Sequence, residues 1–478
     1  MGQPIPPKYR WLKRMLIAAG ILIVSVFGLR LWWGWEANRR LQAEIDRIVA
    51  AGEPIYPEDF DSKQEIPDEQ NAARLLIKAA EAIDLSPEEQ KLLEEFAGEP
   101  ALVKERLEEV RGIVGGSAEA LSLVRRARGM PGADWGVRIR TPALETSLDT
   151  LSGQRQLAKV SYLAACLHHA DANHHDAMQS VRDILAGSQS LSRQPMLIPQ
   201  LASWVMAGFA LRALETILPE MAIVAEVRAR EATRHEVIDS QVRLLITELL
   251  DEREMRAGMR QAMMCERMYQ VDILKTIMNG QSTMSALFGW WSGPPPVSLP
   301  DVVWRHALGP VLTLDVARVL RKTTPFVDAA NAGSFVDVPV AEDFDQSRLR
   351  FVLHPFGSFL PASIERSFLL YFRLLAWRRV AATALAVRLY ELDHGRRPTT
   401  LAQLVPDYLS HVPEDPFTEG GHLLRYLPDE EHPVVYSIGD DGIDEGGKAA
   451  KWADITFFLD GWQPEDESDE GQAGEKEP

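Results

Sequence analysis

Two stretches carry side chains whose types and spacing could do chemistry. The first is His168, His169, His174 and His175, grouped around Asp171 and Asp176. Imidazoles are good zinc ligands, but adjacent histidines on one helix point about 100° apart and cannot all face one ion. A zinc site here would need one histidine from each pair plus a carboxylate. No His-Glu-x-x-His pattern supports it, and a histidine-rich exposed turn is the commoner reading, so zinc is not expected. The second stretch runs Ile438-Gly439-Asp440-Asp441-Gly442-Ile443-Asp444-Glu445-Gly446-Gly447, with Asp454 and Ile455 beyond it. Ca²⁺ takes six to eight oxygens, and a glycine-rich loop with several carboxylates can wrap backbone carbonyls and charged oxygens around one hard ion. An EF-hand is excluded, because position twelve counted from Asp441 is Trp452 rather than Glu. An acidic, glycine-rich hairpin loop without metal is the alternative.

Other reactive types give less. The chain has no Gly-x-Ser-x-Gly, phosphate-loop or zincin motif, and His235, His306 and His354 are dispersed. Cys166 and Cys265 lie in apolar, helix-like stretches, where a thiol is usually a small buried hydrophobe. Met255, Met259, Met263, Met264 and Met268 recur near helical spacing, a stripe that more often lines a core than a partner groove. The 478 residues carry 69 acids against 51 Lys plus Arg, a net charge of -18. With its basic residues scattered, the chain is not expected to bind nucleic acid.

The elements that must position these groups begin with an apolar segment. Met15 to Leu29 has no charge, and apolar character resumes after Arg30 through Trp32, Trp33 and Trp35. At a helical rise of about 1.5 Å per residue, residues 15–35 cover about 30 Å, the hydrocarbon thickness of a bilayer. Arg30 can snorkel, and the tryptophans match an interfacial belt. Lys8, Arg10, Lys13 and Arg14 precede the span, which favours a cytoplasmic N-terminus over residues 1–14 and an extracytoplasmic bulk. From Trp462 onward seven acids and one lysine form an acidic tail, 462–478, expected to be disordered.

Residues 36–287 read as an α-helical array, with helices at 101–114, 117–128, 144–170, 174–191, 197–218 and 222–279, the last breaking near Gly258. Pro67-Asp68-Glu69 opens an earlier helix, and Ser86-Pro87-Glu88-Glu89 starts another with a capping serine. Leu163, Ala164 and Leu167, a turn at Asp171 to Asn173, then Ala177, Val181 and Ile184 resemble one tetratricopeptide-like hairpin without a clear second copy. A Pro-rich linker at 288–300 includes Trp290 and Trp291, and 301–364 reads as a connector, helical to 325 and irregular from 326 to 360. Residues 365–461 read as an α+β unit: one long helix, a proline-punctuated excursion and a small antiparallel sheet. The fold class is therefore mainly α.

The order of motifs in that unit resembles the globular head of the major pseudopilins of type II secretion systems. Tyr390, Gly395 and Pro398 match the stretch that ends the long helix; Asp415, Pro416 and Phe417 match the turn before the sheet. Ser437, Gly439, Asp441, Gly442, Asp454 and Ile455 match the closing loop. The resemblance covers about a fifth of the chain and implies Ca²⁺ held by Asp441, Asp454 and the Ile438 carbonyl. Asp440 and Asp444 are further candidates that the resemblance does not assign. The chain departs from the family at its start: residues 15–35 carry no glutamate for filament assembly. The whole layout is similar to large membrane-anchored bacterial proteins with such a head. The expected function is a non-enzymatic scaffold or interaction protein of the bacterial inner membrane, meeting envelope proteins. A component of a type II secretion or pilin-like assembly and a metal-dependent hydrolase are the alternatives.

Overall fold

The computed structural model describes residues 8–61, 66–98, 100–224, 236–284, 299–340, 352–357, 360–448 and 454–462. Most of the Pro-rich linker, His235, the acidic tail beyond Trp462 and the N-terminal seven residues lie outside them. The described chain is mainly helical, with a small antiparallel sheet and an apolar N-terminal helix.

That first helix, α1 (Lys8–Ala50), is a single element of 43 residues with two different halves. Large apolar side chains from Trp11 to Trp35 face outward, so the outer half is a candidate membrane span by length and composition. The inner half buries Ala37, Ile45 and Ile48. It packs along α12 (Gly309–Ala329), so the helix leaves the apolar stretch and enters the body without a break.

The body is layered helix on helix. α2 (Ala72–Glu81) follows a 3₁₀ turn at Asp68–Gln70, and α3 (Pro87–Gly98) starts where expected. There Ser86 Oγ accepts from Glu89 N at 3.2 Å while the Glu89 carboxylate accepts from Ser86 N at 2.9 Å, a capping box. The expected 101–114 helix is two, α4 (Pro100–Glu105) and α5 (Leu107–Gly116), divided at Arg106; α6 spans Ala118–Ala127. α7 begins later than expected, at Thr150–Ala170, because Asp272 holds the preceding turn, accepting from Thr141 Oγ1 and Ala143 N. α8 (His174–Leu191) and α9 (Leu197–Ile217) then pack in sequence, α7 on α8 and α8 on α9. α9 is also apolar enough to cross a membrane, but two thirds of that window is buried, as in a core helix.

The 222–279 expectation changes most. A two-residue parallel pair, β1 (Ile223–Val224) with β2 (Val237–Ile238), precedes α10 (Asp239–Leu250) and α11 (Arg253–Met278). The break falls at Asp251 and Glu252, not at Gly258. Arg378, distant in sequence, donates to the carbonyls of Leu249, Glu248 and Asp251 at 3.0, 2.8 and 3.1 Å, satisfying the end of α10. Gly258 lies inside α11, where its missing side chain permits close approach: a Cβ would stand 2.7 Å from Gln200 Oε1 and Ser192 O. The five stripe methionines are all buried in α11. α12 runs to Ala329, past Pro325.

The long helix of the C-terminal unit is α13 (Leu360–His394). β3 (Arg425–Leu427), β4 (Val434–Ser437) and β5 (Ile455–Phe458) form the antiparallel sheet in that order, pairing Tyr426 with Val435 and Val435 with Phe457. α13 lies against the sheet on one side and against α9 and α10 on another. One apolar core therefore runs without interruption from Ile45 through Leu163, Leu211 and Leu385 to Val435 and Phe457.

Candidate functional site

The acidic loop joins β4 to β5 and is built on the carboxylate of Asp415, which the sequence placed in the turn before the sheet but not at this loop. Asp415 is 1% exposed. Its Oδ1 accepts from Ser437 Oγ at 2.7 Å and Phe417 N at 3.1 Å, while Oδ2 accepts from Ile438 N at 3.0 Å and from Arg425 at 3.3 Å. One side chain thus fastens the Asp-Pro-Phe turn to the start of the loop. Gly395 ends α13 at φ +66°, a left-handed cap whose N–H returns to Glu391 O at 2.9 Å. Gly447, at φ +77°, closes the loop where a Cβ would meet Val434 at 2.8 Å.

The candidate ligands fall into three environments. Asp440 is committed to an ion pair with Arg373 of α13. Asp441 is exposed, its Oδ1 spent on Ile443 N at 2.9 Å in its own turn. Asp444 accepts from Tyr436 Oη at 3.1 Å and Gly446 N at 3.0 Å, and pairs with Arg425 at 2.8 Å. Asp454 is buried; its Oδ2 accepts from Gly447 N at 2.7 Å, and its Oδ1 has no hydrogen-bond partner among the described residues. Burial, reinforced by the charges of Glu445 and Asp444 and opposed by the backbone N–H groups of Gly447 and Glu445, pushes its pKa up to about 6. Glu445 Oε2 is likewise buried and unpartnered. Ile438 is buried, with its N–H held by Asp415.

The unspent oxygens of Asp454 and Glu445 suit a hard cation chemically. Among the described residues, no three His, Cys, Asp or Glu side chains converge on one point as they stand. Glu445 was missed because it is not part of the matched motif; Asp415 was read as a turn residue, but its hold on the loop was not, because that depends on hydrogen bonds to residues 22 and 23 positions away.

The histidines do not form an exposed turn as expected. Asp171-Ala172-Asn173 reverses the chain, with Ala172 at φ +56°, and Arg111 clamps Asp171 through two bonds of 2.9 and 2.8 Å. Asn173 Nδ2 donates to Asp176 at 2.8 Å. Both neighbouring carboxylates are therefore engaged. The turn sends one histidine of each pair inward: His169 and His174 are 7% and 8% exposed, with ring centres 5.4 Å apart. They line a cavity of about 390 Å³ together with Lys104, Cys166, Thr216 and Glu220. Glu220 Oε2 is 3.5 Å from His169 Nε2. Burial lowers the pKa of both imidazoles, so each is predominantly neutral at pH 7. Burial lowers the pKa of His168 as well, with Arg125 adding to the shift and the charges of Asp176 and Asp171 opposing it.

A larger apolar groove, about 820 Å³, lies between α9 and α13 and includes Trp204, Phe209, Leu374 and Trp377. Glu215 there accepts from Trp377 Nε1 at 2.7 Å, and burial raises its pKa to about 7. Both thiols are buried, and burial pushes Cys166 up to about 12 and Cys265 well above the usual range. Neither is an activated nucleophile.

Comparison with known proteins adds no family: no family model, curated protein or solved structure matches this chain.

Proposed function

We propose that this protein is a non-enzymatic, membrane-anchored scaffold or interaction protein of the bacterial inner membrane, with its N-terminus cytoplasmic and its bulk outside. The pseudopilin-like head would be stabilised by Ca²⁺ and would offer the docking contact for envelope proteins. The observation that carries the reading is α1, whose exposed apolar half continues directly into a half packed within the body. An anchor hung on a loose linker would merely tether; this one fixes orientation. Arg30 Nη2 donates to the His306 carbonyl at 2.6 Å, which holds the start of α12 at the level of Trp32, Trp33 and Trp35. In this reading the body rests at the headgroup surface.

For the calcium loop, the support is chemical: Asp454 Oδ1 and Glu445 Oε2 are buried oxygens without partners among the described residues. Asp454 and Glu445 would hold the ion, with Asp444, Asp441 and the Ile438 carbonyl as further oxygens of the same loop. Bound Ca²⁺ would supply the positive charge that these carboxylates lack. The order of head motifs favours a second reading, membership of a type II secretion or pilin-like assembly.

Photocrosslinking in intact membranes followed by a carbonate wash tests both. The proposal expects the chain to stay in the washed membrane pellet and to crosslink to envelope proteins. Capture of secretion-system subunits alone selects the second reading. Release of the chain into the wash, or metal-dependent turnover by the purified protein on a hydrolase substrate panel, overturns the first.

A further inference from the structure

We infer that the groove between α9 and α13 is a binding site for a single-chain acyl carboxylate, a free fatty acid, with its chain laid along the groove and its carboxylate on Arg212. The wall that α9 contributes is graded from apolar to polar. Leu201, Trp204, Val205, Gly208 and Phe209 line the groove at helical spacing, and Arg212 and Glu215 follow on the same face. At a rise of about 1.5 Å per residue, the run from Leu201 to Arg212 is about 16–17 Å long, which suits a chain better than a compact ring. α13 supplies the opposite wall with Leu370, Leu374 and Trp377. Trp204 and Phe209 are buried, whereas Val205 and Leu370 are 52% and 42% exposed, so the apolar end opens to solvent. The volume of about 820 Å³ lies within the ordinary range for small-molecule sites.

Two further features point to this ligand. Gly208 stands mid-helix, where glycine weakens α9. A Cβ there would meet only the Trp377 ring, at 3.5 Å, so no close approach of α13 demands the glycine, while a longer side chain would enter the groove. Arg212 brings a positive charge to an otherwise apolar wall. Its Nη1 donates to the Ala97 carbonyl at 2.8 Å, and among the described residues no carboxylate forms an ion pair with it. Glu215, three positions on, compensates that charge only in part: it accepts from Trp377 Nε1 at 2.7 Å, and burial raises its pKa to about 7. Arg373, the other cation of the groove, is paired with Asp440. One guanidinium at the end of an apolar trough matches one monoanionic head on one chain, and its planar fork takes a carboxylate through two parallel hydrogen bonds. Gly208, Arg212 and Glu215 belong neither to α1 nor to the acidic loop, so failure here leaves the proposed function standing.

Photolabelling of the full chain in lipid nanodiscs with a diazirine-bearing decanoic acid, mapped by mass spectrometry, tests this. Label is expected on α9 and on residues 370–377 of α13. Unlabelled decanoate should compete about 16-fold better than octanoate, since each of the two extra buried methylenes is worth about fourfold. Gly208→Leu should abolish the label. Arg212→Gln should weaken competition by decanoate at least about tenfold and leave competition by decanol unchanged, while Arg212→Lys keeps part of the preference for the acid. Arg212 is only half-buried, so its variants keep the test decisive where Gly208→Leu does not fold. Label confined to α1, label that decanoate does not compete, equal competition by decanoate and decanol in the wild type, or unchanged competition in Arg212→Gln overturns the proposal. Equal labelling of the groove by a phospholipid carrying the same diazirine chain in the disc assigns the site to bilayer lipid and overturns it too.

Discussion

Replacing Glu53 with alanine should loosen the joint between the apolar N-terminal helix and the body. Glu53 follows α1 directly, and its two oxygens accept from Arg260 at 2.7 Å and Arg267 at 2.6 Å, both on α11. The two arginines are not equivalent. Arg260 is 35% exposed and can turn to water, whereas the Arg267 side chain is wholly buried. Its remaining hydrogen bond is a long one, 3.4 Å, to Thr324, and its Nε has no partner. Without Glu53 the guanidinium stays in the interior uncompensated, a situation that costs about 3–5 kcal/mol. That corresponds to roughly two to three and a half decades in the folding equilibrium. Urea unfolding of the full chain in micelles, followed by tryptophan fluorescence, should show the midpoint fall accordingly, with faster proteolysis near residues 51–55. Removing both charges, as in Glu53→Gln with Arg267→Met, should recover most of the loss, because a buried pair replaced by apolar groups is often neutral. A loss below about 1 kcal/mol, as for an exposed pair, would refute the reasoning.

Two further outcomes follow from the geometry. Gly258→Ala should destabilise by about 1–3 kcal/mol, because overpacking against Gln200 and the Ser192 carbonyl outweighs the gain in helix propensity. Gly112→Ala in α5, where a Cβ meets nothing within 4 Å, should instead stabilise by about 0.5–1 kcal/mol; equal signs in denaturant melts would sink the argument. Asp454, with its pKa raised to about 6 in the fold, favours the folded state fully below its ordinary value near 3.8, and that contribution is lost as pH rises through about 6. In chelator, differential scanning calorimetry should therefore show an Asp454-dependent fall in melting temperature across that window, absent in Asp454→Asn. Ca²⁺ competes with the same proton, so its stabilising shift should be small near pH 5 and larger near pH 7.5; a pH-independent shift would contradict it.

What could be read from the sequence was what local chemistry decides. The capping serine Ser86, the helix His174–Leu191 and the end of the long helix just before Gly395 each depend on a few adjacent residues. The break after α10 was misplaced because its cause, Arg378, lies 127 to 130 positions away. Gly258 looked like a helix breaker, yet its reason is a neighbouring backbone that only the packed structure brings near. The histidine pairs show the same division. Helical geometry excluded all four from one site, but the nearby carboxylates, Asp171 and Asp176, proved engaged with Arg111 and Asn173. Glu220, from the 3₁₀ turn Leu218–Glu220 that follows α9, stands beside His169 instead.

The ion pairs also explain how a chain with a net charge of -18 keeps its parts in register. Glu44 of α1 takes Arg321 of α12 at 2.9 and 2.6 Å; Glu53 takes Arg267 of α11. Glu252, at the start of α11, takes Arg379 of α13 at 2.7 and 3.0 Å, and Arg379 reaches on to the Glu414 carbonyl beside Asp415. Each joint places a carboxylate at the end or edge of one helix and an arginine on another, so a continuous series of charged clamps runs from α1 to the foot of the acidic loop. Apolar contact alone would let helices slide by a turn, whereas hydrogen-bonded forks of this kind fix one register. The loop itself stands outside the series, held to α13 by Asp440 and Arg373. Ion occupancy at Asp454 and Glu445 would therefore act on the loop at the far end of this series from α1.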